Sequence, residues 1–170
     1  MIEIIDNIGF MGPLILVPIN IAYLWNRQRY VILYVIFLCV NSLINSGLKQ
    51  LIREPRLKNQ IYLNKYDVSE ANINIHKYGM PSGHAQSTGY SIAFLYLVSN
   101  SQTMLMISSF IGALTVYQRY VYRRHTIEQI ITGLVVGIGI AFISLNSGTL
   151  RFHEPLPRLG SYMREGFGEP

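Results

Sequence analysis

Four stretches of this 170-residue chain contain no Asp, Glu, Lys or Arg: Asn7 to Asn26, Tyr30 to Leu48, Ala85 to Gln118 and Gln129 to Leu150. They run for 20, 19, 34 and 22 residues, 95 of the 170 together. A helix crossing the roughly 30 Å hydrocarbon core of a bilayer needs about 20 mostly apolar residues. A small soluble core cannot absorb four such tracts. Composition agrees, with 14% charged residues against about 25% in ordinary soluble domains. A membrane protein is expected.

The 34-residue run is too long for one crossing, and Ser99-Asn-Ser-Gln102 divides it. The pattern therefore predicts an all-α membrane bundle of about five transmembrane helices. They lie near Ile8–Trp25, Tyr30–Leu48, His84–Val98, Thr103–Tyr120 and Thr126–Leu145. Trp25 followed by Arg27 and Arg29 marks a headgroup boundary. Pro13 and Pro18 are potential kinks in the first helix. The third span is short and must either thin the bilayer locally or sit partly sheltered among its neighbours. Gly133 and Gly137, four apart, permit close helix contact. Residues 1–150 read as one membrane-embedded domain, and Arg151 to Pro170, with its prolines, glycines and mixed charges, as an irregular tail.

The net charge of +5 suits anionic headgroups as well as nucleic acid. Most basic residues flank apolar tracts, which argues against nucleic acid. Cys39, the only cysteine, lies inside the second tract and precludes an internal disulfide framework. The acidic start, with Glu3 and Asp6, lacks the basic n-region of a signal peptide. The first tract is thus expected to remain as a span. No protein partner is indicated.

Five crossings bring Lys49, Arg56, Ser82, His84, Arg119 and His125 to one membrane face. Lys49, Arg56 and Arg119 suit the non-bridging oxygens of a phosphate. Ser82 and Gly83 open a helix, where free N–H groups and the dipole favour an anion. Two histidines in different protonation states suffice for a double displacement at phosphorus. Taken singly, each residue has a plainer reading. Basic residues at helix ends snorkel, Ser82 caps a helix, and Arg119, Arg123 and Arg124 form a solvated cluster. Their joint placement favours a phosphate site.

These residues resemble the type 2 phosphatidic acid phosphatase (PAP2) superfamily, with its motifs Lys-x6-Arg-Pro, Pro-Ser-Gly-His and Ser-Arg-x5-His-x3-Asp. The first appears as Lys49 to Arg56 followed by Leu57, the second as Pro81 to His84, and the third as Gln118-Arg119 through His125 to Gln129. Leu57, Gln118 and Gln129 replace Pro, Ser and Asp. Within the superfamily the chain is most similar to the dolichyldiphosphatase family, in Leu48 to Arg56, Gly79 to Gln86 and His125-Thr-x-x-Gln129. The resemblance implies His125 as nucleophile, His84 as general acid, and Lys49, Arg56, Ser82, Gly83 and Arg119 as phosphoryl ligands, with neither metal nor other cofactor. It implies a polyprenyl (dolichyl-type) diphosphate substrate, cleaved to the monophosphate and inorganic phosphate.

Gln129 orients the histidine without the charge an aspartate would bring. Glu128 points about 100° away on a helix and is not a substitute. A phosphate leaves an anhydride more readily than an alkoxide leaves a monoester, so an amide at this position favours the anhydride. Phosphatidic acid or another lipid phosphate is the alternative substrate, and an inactive membrane scaffold the alternative class. The face bearing the motifs has nine basic residues against five opposite, but excluding Lys49, Arg56 and Arg119 leaves six against five and removes any positive-inside bias. The family resemblance implies an endoplasmic reticulum membrane with a non-cytosolic site.

Overall fold

A computed structural model describes residues 2–61 and 78–147, with side chains from Asp6 onward. The Arg151–Pro170 tail and most of the polar Asn59–Tyr78 stretch lie outside the described residues. Five helices follow one another: α1 Ile2–Tyr23, α2 Gln28–Ile52, α3 Gly83–Ser99, α4 Gln102–Val121 and α5 Ile127–Asn146. Among the described residues there is no strand, only an isolated bridge between Pro55 and Tyr78.

The helix boundaries have local causes. α1 begins earlier than its apolar run and continues through both prolines. α2 ends when Arg53 turns left-handed at φ 55° and its N–H bonds the Lys49 carbonyl, two residues before Pro55. Lys49 and Arg56 therefore do not share a continuous helix. Asn100, left-handed at φ 50°, closes α3. Ser101 then caps α4 by accepting from the Met104 N–H, which is where the long charge-free run breaks. Thr126 and Gln129 form a capping box at the start of α5.

α3 stands at the centre and packs against all four other helices, most extensively against α5. Its contact with α5 is backbone to backbone. A Cβ on Gly133 would lie 2.6 Å from the Ser82 carbonyl oxygen, and one on Gly137 would collide with the Gln86 carbonyl. The close contact expected of this glycine pair is present. Around α3 the outward surface is apolar: Leu14 on α1, Leu43 on α2, Phe110 on α4 and Ile143 on α5 are all more than 60% exposed. So much uncovered apolar surface marks contact with a nonaqueous phase or a partner.

By length and composition, α2 and α5 are apolar enough to cross a membrane among the described residues. α3 instead turns Gln86, Thr88 and Ser91 into the protein interior, where each is fully buried. Midway along it Tyr34 and Tyr90 stack with centroids 5.5 Å apart. There the Tyr90 hydroxyl donates to the Tyr34 carbonyl at 2.9 Å. This aromatic packing anchors the middle of α3 to α2.

Candidate active site

Four chain segments converge at one end of the bundle: the residues after α2, the start of α3, the end of α4 and the start of α5. Main-chain bonds fix them together. Ser82 N–H donates to the Gln129 carbonyl at 3.0 Å, and Gly79 N–H to the Glu54 carbonyl at 2.8 Å. After α4, Arg123 adopts φ 52°. That left-handed turn lets the N–H groups of both Arg124 and His125 reach back to the Arg119 carbonyl, at 3.0 and 3.3 Å. His125 is thereby returned beside Arg119.

The result is a cavity of about 40 Å³ lined by Lys49, Arg56, Gly83, His84, Arg119 and His125. Separate segments thus place six of the sequence-selected residues around one space. Lys49 is only 3% exposed although it carries an ammonium group, and its Nζ donates to the Tyr78 carbonyl at 3.3 Å. Ser82 is fully buried as the α3 N-cap, its hydroxyl accepting from the Ala85 N–H at 3.5 Å. It stands behind the lining residue Gly83 in sequence. His125 also borders a wider cleft of about 560 Å³, which includes Leu57, Lys58, Arg123 and Glu128.

Two further lining residues were not singled out as ligands in the sequence. Asn45 donates to Gln86 Oε1 at 2.8 Å and to the Pro81 carbonyl at 3.3 Å. Gln86 in turn donates to both oxygens of Asn41, so an amide ladder ties α2 to α3 beneath the cavity. Arg124 corrects the solvated-cluster reading. It is 1% exposed and lines the cavity, whereas Arg123 is exposed on the cleft. Arg53 is also exposed and donates to the Gln50 carbonyl, away from the cavity.

The two histidines have different partners. Arg119 Nη2 contacts His84 Nε2; a guanidinium only donates, so this ring nitrogen accepts. Phe10 of α1 packs against both groups, its centroid 5.8 Å from the His84 ring and 5.0 Å from Arg119 Cζ. The sequence resemblance begins after α1 and gave no indication of Phe10. His125 Nδ1 lies 3.0 Å from Gln129 Oε1. Burial, then the positive charges of Arg56, Lys49 and Arg119, push the His125 imidazole down to about 3, against the opposing effect of the Gln129 hydrogen bond. It is neutral at physiological pH and presents Nε2 as its remaining ring nitrogen. An unprotonated nitrogen beside a cationic pocket is equipped to attack an electrophile that carries negative charge.

A family model for the PAP2 superfamily matches residues 30–152. The chain belongs to the PAP2 superfamily. It is a PAP2-type phosphatase, a hydrolase of lipid phosphates. The crystal structure of a transmembrane PAP2-type phosphatidylglycerolphosphate phosphatase from Bacillus subtilis is similar in fold, with a TM-score of 0.66 and 17% sequence identity. The match covers 88% of this chain and 78% of that one. No curated protein matches the PAP2 sequence described here.

Proposed function

We propose that this PAP2 protein hydrolyses a polyprenyl (dolichyl-type) diphosphate to the monophosphate and inorganic phosphate through a phosphohistidine at His125. The observation that carries the diphosphate preference is the 3.0 Å contact of His125 Nδ1 with a neutral amide, Gln129. A direct carboxylate partner stabilises the charge developing on an attacking imidazole more strongly. The weaker support suits a substrate whose leaving group is itself a stable phosphate.

In this mechanism Lys49, Arg56, Gly83 and Arg119 hold the terminal phosphoryl oxygens. Ser82 supports them through its hydroxyl proton, and Arg124 adds positive charge. His125 Nε2 attacks phosphorus, the N–P bond forms, and the P–O bond to the leaving monophosphate breaks. His84 protonates the leaving oxygen when the leaving group needs it. Before that step, the anionic substrate must draw Arg119 away from His84 Nε2, which then takes up a proton from solvent. Water subsequently attacks the phosphohistidine, His84 takes the water proton, and inorganic phosphate departs. Basic side chains meet the phosphoryl charge, so chelation is expected to leave turnover intact.

All five helices cross the bilayer in this reading, α3 sheltered by the other four. The apolar outer faces of α1, α2, α4 and α5 support that arrangement. The site then faces the non-cytosolic side of an endoplasmic reticulum membrane, with the tail in the cytosol. Protease applied to sealed microsomes should remove a tag after Pro170 and spare one near Asn64; the reverse pattern would invert the orientation.

Phosphate release from dolichyl diphosphate, dolichyl monophosphate and phosphatidate, with chelator present, tests the activity. Preference for the diphosphate is expected. Preference for phosphatidate would move the assignment to a lipid monoesterase, and no release from any substrate would favour a scaffold.

A further inference from the structure

Gln129 does not stand alone behind His125. Its Nε2 donates to Glu54 Oε1 at 2.7 Å and approaches the Pro55 carbonyl at 3.5 Å. Its Oε1 faces His125 Nδ1 at 3.0 Å and the Thr126 N–H at 3.4 Å. Acceptors therefore lie on one side of the amide and donors on the other. A carboxylate oxygen can only accept from the amide N–H. Turning the amide over would set Gln129 Oε1 against Glu54 and an N–H against His125.

We propose that Glu54 is a positioning residue, acting on His125 through Gln129. This rests on the reading of His125 as nucleophile. With the amide fixed, Nδ1 must carry the ring proton, leaving the Nε2 lone pair for the cavity. When the N–P bond forms and the leaving oxygen takes the P–O electron pair, the ring gains positive charge while retaining its Nδ1 proton. Glu54 supplies the balancing negative charge one amide away. The Glu54–Gln129 pair thus divides the work of one aspartate between two residues, one orienting and one charged.

The surroundings are shaped around this chain of bonds. The Glu54 carbonyl is held by Gly79 N–H at 2.8 Å. Gly79 also leaves the space that the Gln129 amide fills, since a Cβ there would lie 2.6 Å from Nε2 and 2.7 Å from Oε1. Glu54 is adjacent to Pro55, which pairs with Tyr78. The carboxylate consequently sits on a braced segment. By contrast Glu128, next to Gln129 in sequence, is exposed.

The test uses the full chain purified in detergent, dolichyl diphosphate as substrate, and rapid quenching to trap the phosphoenzyme. Glu54→Gln is expected to lower kcat about tenfold, with KM changed less than twofold, by analogy with the loss of an outer hydrogen-bond partner from a metal-ligating histidine. In a Gln129→Asp background the sign should reverse. That substitution sets a second carboxylate beside Glu54, and adding Glu54→Gln should then raise kcat several-fold. A purely structural Glu54 would give a loss in both backgrounds.

¹⁵N-histidine NMR of the unsubstituted protein provides a reading independent of how the variants fold. A protonated Nδ1 on His125 is expected; a protonated Nε2 would overturn the inference. So would Glu54→Gln turnover within twofold of the parent while His125→Ala still abolishes the phosphoenzyme. Full activity in His125→Ala with no trapped intermediate would instead overturn the nucleophile assignment itself.

Discussion

His84 and His125 border the same small cavity, yet they are held in opposite ways. His84 faces a guanidinium and an aromatic ring, with its Nε2 accepting from Arg119. His125 faces an amide with a carboxylate behind it, and its Nδ1 donates. One ring is set among cationic and apolar groups, and the proposed mechanism has it hand on a proton once Arg119 is drawn away. The other is oriented by acceptors that tolerate a growing positive charge. Two identical side chains meet different neighbours, and the proposed mechanism gives them different tasks.

The largest test of this division is His125→Ala, which should lower turnover by about 10⁴-fold or more and remove the acid-labile phosphoenzyme. A phosphoenzyme surviving in that variant would make the two histidines interchangeable and break the comparison. His84→Ala should cost about 10² to 10⁴-fold on a lipid monoester, the usual range for a lost proton donor. On a diphosphate the loss should be much smaller. Equal losses on both substrates, measured as kcat/KM, would remove the proton-donor role.

Gly79→Ala sharpens the His125 half of the contrast. Its Cβ would displace the Gln129 amide, and a drop of about tenfold in kcat is expected, comparable to loss of an outer-shell partner. KM should hold, because none of the phosphoryl ligands moves. The smallest effect is on pH dependence. With His125 at about 3 in the folded protein and about 6.5 unfolded, both states leave it neutral above 6.5. Below that the unfolded chain takes the proton first. The stability linked to His125 is therefore complete above about pH 6.5 and is lost as pH falls from there towards about 3. His125→Gln should flatten the fall of thermal unfolding temperature between about pH 7.5 and about pH 5, measured in detergent.

Much of the fold was legible because charge is excluded so strictly from apolar tracts. The break at Ser99 to Gln102 and the charge-free run opening at Gln129 place helix boundaries within a residue or two. α1 was less legible. Its Glu3 and Asp6 concealed an early start, although Asp6 accepts from the Tyr122 hydroxyl at 2.6 Å, a long-range bond with no local signature. α3 has no clear apolar period because its polar residues face protein on every side.

The site divides along similar lines. Lys49, Arg56, His84, Arg119 and His125 stood out through motif spacing and topology. Asn45 and Phe10 did not, since an amide within an apolar run and an aromatic in a first helix have no spacing that marks them. Arg124 was hidden by its neighbour: two adjacent arginines read alike until the left-handed turn at Arg123 sends one inward and one outward. Glu54 lay within the first motif, but only the fold brings it to Gln129, 75 positions away.

The glycine contact between α3 and α5 also divides the cavity into a stiff half and a compliant half. Where two main chains touch at Gly133 and Gly137, no side-chain rotation can lengthen or shorten the gap. Gly83 and Gln129 ride on those two helices and keep a fixed separation. Arg119 rides on α4, which meets α3 partly through side chains such as Thr88 and Ile92 against Gly112, and these can slide. If all five helices span the bilayer as proposed, a change in its thickness is expected to tilt α4 before it parts α3 from α5. In the proposed mechanism, a change in bilayer thickness is therefore expected to alter the grip of Arg119 more than the aim of His125.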